Sequence, residues 1–374
     1  MSTRTPLAAL AASGALVALS ACGSSDSGAG GPIRVDASDS SCQVSTTSAT
    51  AGNVTFEISN KGSKVTEFYL YAEGDRIMGE VENIAPGLNR RLIVQVPEAG
   101  RYQTACKPGM VGNGIRGTFT VTGSAQPQGG ADAQKAAATK SYATYVENNS
   151  AALATETVKF ADAVKSGNVE QAKSEYAQTR VFYERIEPVA EKFGDLDPAI
   201  DNREADLEPG EQFTGFHRLE KDLWVTGLQP DSAQIADKLV TDVNDLVAKA
   251  KTLELSALDL ANGAKELLDE VATGKITGEE ETFSHTDLWD FQANLDGSKA
   301  AIAAVRPLIQ QKDAALVSTL DSEFANVQSL LDKTRVGDGF KYYNQLSQDE
   351  IKQFAAAVDA LSEPLSKVAE VVAQ

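Results

Sequence analysis

Two rhythms of apolar residues divide the chain. Between residues 33 and 123, apolar and polar positions alternate in short runs, "NVTFEISN", "VTEFYLYAE", "RRLIVQVPEAG", "RYQTAC" and "GTFTVTG", separated by Gly, Pro and Asn. Period two broken by turn residues predicts an antiparallel β-sandwich over 33–123. The segment 124–137, with "GSAQPQGGADAQ", is a linker by composition. Beyond it apolar positions recur at helical spacing in "NVEQAKSEYAQTRVFYERIEPVAEKF", "SAQIADKLVTDVNDLVAKAKTLEL" and "AAIAAVRPLIQQKDAALVSTLDSEFANVQSLLDK". Residues 138–374 therefore predict an all-α bundle, roughly seven or more helices of about four turns each. Asn168, Asp231 and the Ser347–Glu350 pair are its expected helix starts.

One apolar run fits neither rhythm. Leu7 to Leu19 follows a basic Arg4 and precedes Leu19-Ser20-Ala21-Cys22. It is too short for a membrane span and has the layout of a signal peptide over 1–21. Its end resembles the lipobox of bacterial lipoproteins, in which the cysteine, here Cys22, carries the lipid. Residues 22–32, with "GSSDSGAGG", then form a flexible tether. The expectation is an extracytoplasmic chain, lipid-anchored to the outer side of the cell membrane. Cys42 and Cys106 remain, and an oxidising compartment makes a disulfide the default pairing, with a shared metal ion as the rival.

Charge narrows the partners. The formal net charge is -19; residues 33–123 are neutral, and 133 to the end carries -18. Such a field repels nucleic acid and favours cations.

Candidate chemistry concentrates in three stretches of the helical part. In "TGFHRLEKDLW", His217 and Glu220 are three apart and share a helix face, an imidazole and a carboxylate suited to zinc, iron or copper. In "YERIEPVAEKF", Glu184 and Glu187 are expected on one helix face just before Pro188 breaks it, with a salt bridge from Arg180 or Arg185 as the plainer role for Glu184. The carboxylate-dense "FGDLDPAIDNREADLEPGEQF" is expected as a long loop offering Asp195, Asp197, Asp201 and Glu204. In "GEEETFSHTDLWDFQANLDG", Glu279, Glu280 and Asp287 flank His285, where Ser284 or Thr286 is expected simply to cap a helix.

In chain order, "YERIEPVAEKFGDLDPAIDNREADLE", "QFTGFHRLEKDLW" and "ITGEEETFSHTDLWDFQANLDG" resemble the signature stretches of the EfeO-type bacterial iron-uptake lipoproteins. That resemblance spans nearly the whole mature chain. It implies a cupredoxin-like sandwich followed by an imelysin-like, peptidase-type helical domain, with the family's Gly-x-His-x-x-Glu motif on Gly215, His217 and Glu220. It further implies metal-binding positions at Glu184, Glu187 and Asp201, with Glu280 from the third stretch. Partners in such systems are a membrane iron permease and a dye-decolorising-type haem peroxidase. In the sandwich, "YQTACKPGMVGNG" places Cys106 and Met110 much as a blue-copper loop does, yet no histidine lies between 33 and 123, which excludes a His₂Cys copper centre. Cys42, Glu67, Cys106 and Met110 are the second metal set that the resemblance implies, for copper or iron.

The leading expectation is an iron-binding component without an enzymatic role of its own, apart from a ferroxidase step in the sandwich. Hard carboxylates with one imidazole suit Fe³⁺ better than Cu⁺, and zinc is a candidate in vitro. Two other classes stand beside it: a metallopeptidase, which needs an open metal site and a carboxylate base but here lacks His-Glu-x-x-His, and a metal-dependent binder of acidic polysaccharide.

Overall fold

The computed structural model describes Met1 and residues 31–124, 130–207 and 210–374. The expected signal peptide, the Cys22 lipidation site and most of the tether lie outside the described residues, as does 125–129 of the linker.

The first part is a two-sheet sandwich. Its strands are β1 Ile33–Ala37, β2 Cys42–Val44, β3 Ser48–Thr50, β4 Gly52–Asn60, β5 Thr66–Tyr71, β6 Ile77–Ile84, β7 Asn89–Val96, β8 Gly100–Pro108 and β9 Ile115–Thr122. One sheet has the order β2-β1-β4-β7 and the other β3-β9-β8-β5-β6. The expectation of a purely antiparallel sandwich is corrected, because β1 pairs with β4, and β3 with β9, in parallel. Alternation tells which face a residue takes but not which way the neighbouring strand runs. Phe56, Phe68 and Phe119 cluster at the centre, with Val35, Ile58, Leu70 and Val121 around them. Cys42 on β2 is disulfide-bonded to Cys106 on β8, which ties the two sheets together.

The second part is helical: α1 Gly130–Lys165, α2 Val169–Glu184, α3 Leu196–Asp201, α4 Gly215–Lys221, α5 Ser232–Ala250, α6 Ala257–Thr273, α7 Asp287–Lys312, α8 Ala314–Lys333, α9 Gln348–Leu365 and α10 Val368–Ala373. A two-stranded ribbon, β10 Arg335–Val336 with β11 Gly339–Phe340, lies between α8 and α9. Residues 130–137, assigned to the linker by composition, are the first turns of α1, since the run "ADAQKAAA" has high helix propensity despite the glycines before it. Asn168 caps α2, and Ser347 with Glu350 forms the expected capping box on α9. Asp231 makes no capping bond and instead pairs with Arg218 at 2.8 Å. A second capping box, Ser256 with Asp259, starts α6.

The two parts are joined along α6. Ile93 of β7 is 5% exposed and packs into the helical core, and its carbonyl accepts from Asn262 of α6 at 2.9 Å. Lys192 reaches the carbonyls of Ile77 and Met78, and Asn53 donates to the Ala373 carbonyl at 2.7 Å. Among the described residues no helix is long and apolar enough to cross a membrane.

Candidate metal centre

The motif helix α4 is entered through a glycine that the fold requires. Gly215 has φ 78°, and a Cβ there would run into the Ile200 carbonyl of α3, so only glycine lets the two short helices meet. That contact brings Asp201 to His217. The helix then widens into a π turn over Asp222–Thr226, an irregularity frequent at functional sites.

His217 is 1% exposed. Its Nδ1 lies 3.2 Å from Glu220, whose other oxygen accepts the backbone N–H groups of Phe283 and Ser284 at 2.9 and 2.6 Å. Both oxygens of Glu220 are thereby engaged, and the ring is held in one orientation. The opposite nitrogen, Nε2, has no hydrogen-bond partner and faces Asp201 at 3.7 Å and Glu280 at 3.6 Å. Asp201, His217 and Glu280 each offer an atom within 4.8 Å of the others, and so do His217, Glu220 and Glu281. Burial and the Arg180 charge disfavour a protonated imidazole, but Glu220, Glu280 and Asp201 outweigh them and push its pKa up to about 10.

Two buried cations sit among these carboxylates. Arg180 of α2 pairs with Glu184 at 2.5 Å, Glu281 at 2.5 Å, Glu280 at 3.2 Å and Asp201. Lys275 pairs with Glu187 at 2.6 Å and Glu184 at 3.2 Å. The plainer role foreseen for Glu184, a bridge to Arg180, is the one observed. The expectation that Glu184 and Glu187 share a helix face is corrected: α2 ends at Glu184, and Glu187 opens a tight 3₁₀ stretch, Glu187–Phe193, that Pro188 imposes. Asn294 of α7 clasps both carboxylates at 2.9 and 2.6 Å.

The stretch expected as a long loop contains α3 and a 3₁₀ turn, Glu204–Asp206. Of its candidates, Asp201 reaches the centre, Asp197 accepts from Tyr183, Glu204 pairs with Lys221, and Asp195 is exposed. Thr286 makes no capping bond to α7; Ser284 bonds Glu281 and Thr286 instead, and Asp287 accepts the Glu281 N–H. His285 takes a left-handed backbone, φ 60°, and its carbonyl accepts from Tyr343.

Beside this centre a cavity of about 930 Å³ opens between sandwich and helices. The helical side lines it with Glu187, Glu191, Asp197, Asp201, Glu266, Glu270, Glu279 and Glu280; the sandwich adds Glu67, Glu80, Glu82 and Met110. Burial, then the neighbouring acids, push Glu82 and Glu270 up to about 7, while Lys265 only partly offsets burial at Glu266, which reaches about 8. The second metal set is corrected here: Cys42 and Cys106 are joined to each other, so neither offers a thiolate. Glu67 and Met110 do reach the cavity wall, and Glu67 is held by Tyr69 at 3.0 Å and Lys107 at 3.7 Å.

The comparisons with known proteins match this division. The family model "Peptidase_M75: Imelysin" covers residues 138–368, and the cupredoxin-like domain model covers 9–121. Over 342 residues, 90% of each chain, the protein is 38% identical to the iron uptake system component EfeO of Escherichia coli K12, and equally to that of Shigella flexneri. The chain belongs to the EfeO family. A reduced auracyanin from Roseiflexus castenholzii aligns over 26% of this chain and all of its own, at 17% identity and a TM-score of 0.22. Within the EfeO family frame, sequence reasoning had offered His217, Glu220, Asp201 and Glu280, which the structure brings close together. It missed Lys275, Glu281 and Asn294, which no local spacing connects to the motif, and the cavity acids Glu80, Glu82, Glu191, Glu266 and Glu270.

Proposed function

We propose that this EfeO-family chain is the extracytoplasmic iron-capturing component of an uptake system, lipid-anchored through Cys22, that delivers iron to a membrane permease and works beside a dye-decolorising-type haem peroxidase. The observation that carries the reading is the acidic cavity against His217, a cage of oxygen ligands with one imidazole at its wall. Hard oxygen donors favour ferric over cuprous ions. His217 Nε2, Asp201 and Glu280 hold the ion, and Glu220 orients the ring through Nδ1, as second-shell carboxylates do for metal-bound histidines. Arg180, Glu184, Lys275 and Glu187 form the adjoining charge network, from which Asp201 and Glu280 are released when a metal ion replaces the cationic side chains as their partner. A cage that yields its ligands back to Arg180 and Lys275 suits a carrier, which must also let go.

The peptidase reading has less support. Hydrolysis needs a metal with an open water position and an unencumbered carboxylate base. Around His217 the carboxylates are already bound to Arg180, Lys275 or backbone N–H groups.

The test is titration of Fe³⁺, Fe²⁺, Cu²⁺ and Zn²⁺ into the full chain and its variants. His217→Ala is expected to abolish tight Fe³⁺ binding at this centre, and Glu220→Ala to weaken it about 10–100-fold. Unchanged iron affinity in His217→Ala would remove the assignment; tight zinc with indifferent iron would favour the peptidase.

A further inference from the structure

A third group of carboxylates stands apart from His217. One oxygen each from Glu80, Glu82 and Glu191 lies within 4.8 Å of the others, and all three residues line the cavity. Glu80 and Glu82 belong to β6 of the sandwich, and Glu191 to the 3₁₀ stretch after α2. The two halves of the group thus come from the two parts of the molecule.

We infer that Glu80, Glu82 and Glu191 form a second cation site, built across the joint, that takes a hard metal ion through oxygen ligands alone. Two observations beyond the cluster itself carry this. Glu80 is 2% exposed, and its Oε2 has no hydrogen-bond partner, a costly state for a carboxylate unless something binds it. Among the described residues, moreover, no lysine or arginine forms an ion pair with any of the three, whereas the His217 centre carries Arg180 and Lys275 within it. Lys192, next to Glu191 in sequence, is occupied by Asp259 at 2.9 Å, and Lys107 by Glu67 at 3.7 Å. The charge of the group is left for a cation from outside to balance. The Tyr69 hydroxyl lies 3.0 Å from both Glu82 and Glu67 and shares its one proton between them, which ties the Glu82 carboxylate to its strand as the outer partners of ligating groups do. With no nitrogen or sulfur donor, the site selects ions of the ferric, calcium or manganese type over Cu⁺. Given the iron reading above, on which the identity of the ion rests, ferric iron is the occupant.

Counting Fe³⁺ bound per full chain, supplied as ferric citrate and measured after gel filtration, decides it. The wild type is expected to hold two ions. Glu80→Gln with Glu191→Gln is expected to hold one, and so is His217→Ala. Because Gln keeps the shape and removes only unpaired charge, cooperative melting in the circular dichroism of the variant confirms folding. Glu191→Gln alone, which leaves the strands untouched, serves as the second variant and should weaken the site at least tenfold. A well-folded Glu80→Gln/Glu191→Gln chain with the wild-type count overturns the inference. Loss in that variant with no loss in His217→Ala upholds this site and overturns the His217 assignment instead.

Discussion

Arg180 is 0% exposed and faces five carboxylates, the nearest at Glu184, Asp201 and Glu281 and the farthest at Asp290, 3.7 Å away. A buried ion network is costly to assemble, but removing one member strands the others without a counter-charge. Arg180→Met is therefore expected to lower stability by about 3–5 kcal/mol in the metal-free chain. Urea unfolding followed by circular dichroism measures it; a loss below about 1 kcal/mol, the range of surface pairs, would mean that Arg180 is not the counter-ion of this centre. At this scale the sequence showed which residues could bind metal but not their company. His217 and Glu220 announce themselves by spacing. Lys275 and Glu281 enter from segments far along the chain, and only the fold makes them neighbours.

Elements were legible where local rules decide them. The Ser347-x-x-Glu350 pattern predicted a helix start, and the reciprocal bonds are present: Glu350 accepts from the Ser347 N–H at 2.8 Å, and Ser347 accepts from the Glu350 N–H at 3.2 Å. The bond from the Ser347 N–H, then Lys341 and the Ser347 hydroxyl, lower the Glu350 pKa to about 2. Its unfolded value is about 4.3, so its contribution is complete above that pH and is lost as pH falls toward the folded value. Ser347→Ala is expected to cost about 1 kcal/mol at neutral pH. The melting-temperature gap between wild type and Glu350→Gln should shrink as pH falls from about 5 to about 2, whereas a gap that stays constant with pH would mean the charge of Glu350 plays no part. Strand β6 was less legible. Register irregularities against β5 turn Met78, Val81 and Ile84 all toward the sandwich core, leaving Glu80 and Glu82 on the other face. Strict alternation would have put Met78 with the two glutamates, so bulges hid the cavity's acidic strand.

At the scale of the whole molecule, composition divided the charge but misplaced its meaning. The sandwich is neutral overall, yet Glu67, Glu80 and Glu82 face the strongly acidic helical part, so both parts contribute carboxylates to one cavity. Reading 124–137 as a linker left the placement of the two parts open; the joint along α6 fixes that wall. Ile93 is the apolar element of the joint, buried in the helical core while its strand belongs to the sandwich. Truncating a buried isoleucine costs about 2–5 kcal/mol through lost contacts and the cavity left behind. Most of that loss in Ile93→Ala falls on the contact between the parts and not on either core, because its neighbours on β7, Leu92 and Val94, point into the sandwich. The wild type is accordingly expected to unfold in one calorimetric transition and Ile93→Ala in two, with the helical transition moved least. Iron affinity should fall in the same variant, since the cavity loses the registry of its two walls. A variant that melts as one unit and binds iron as the wild type does would show that the polar contacts of Asn262, Lys192 and Asn53 hold the joint without Ile93.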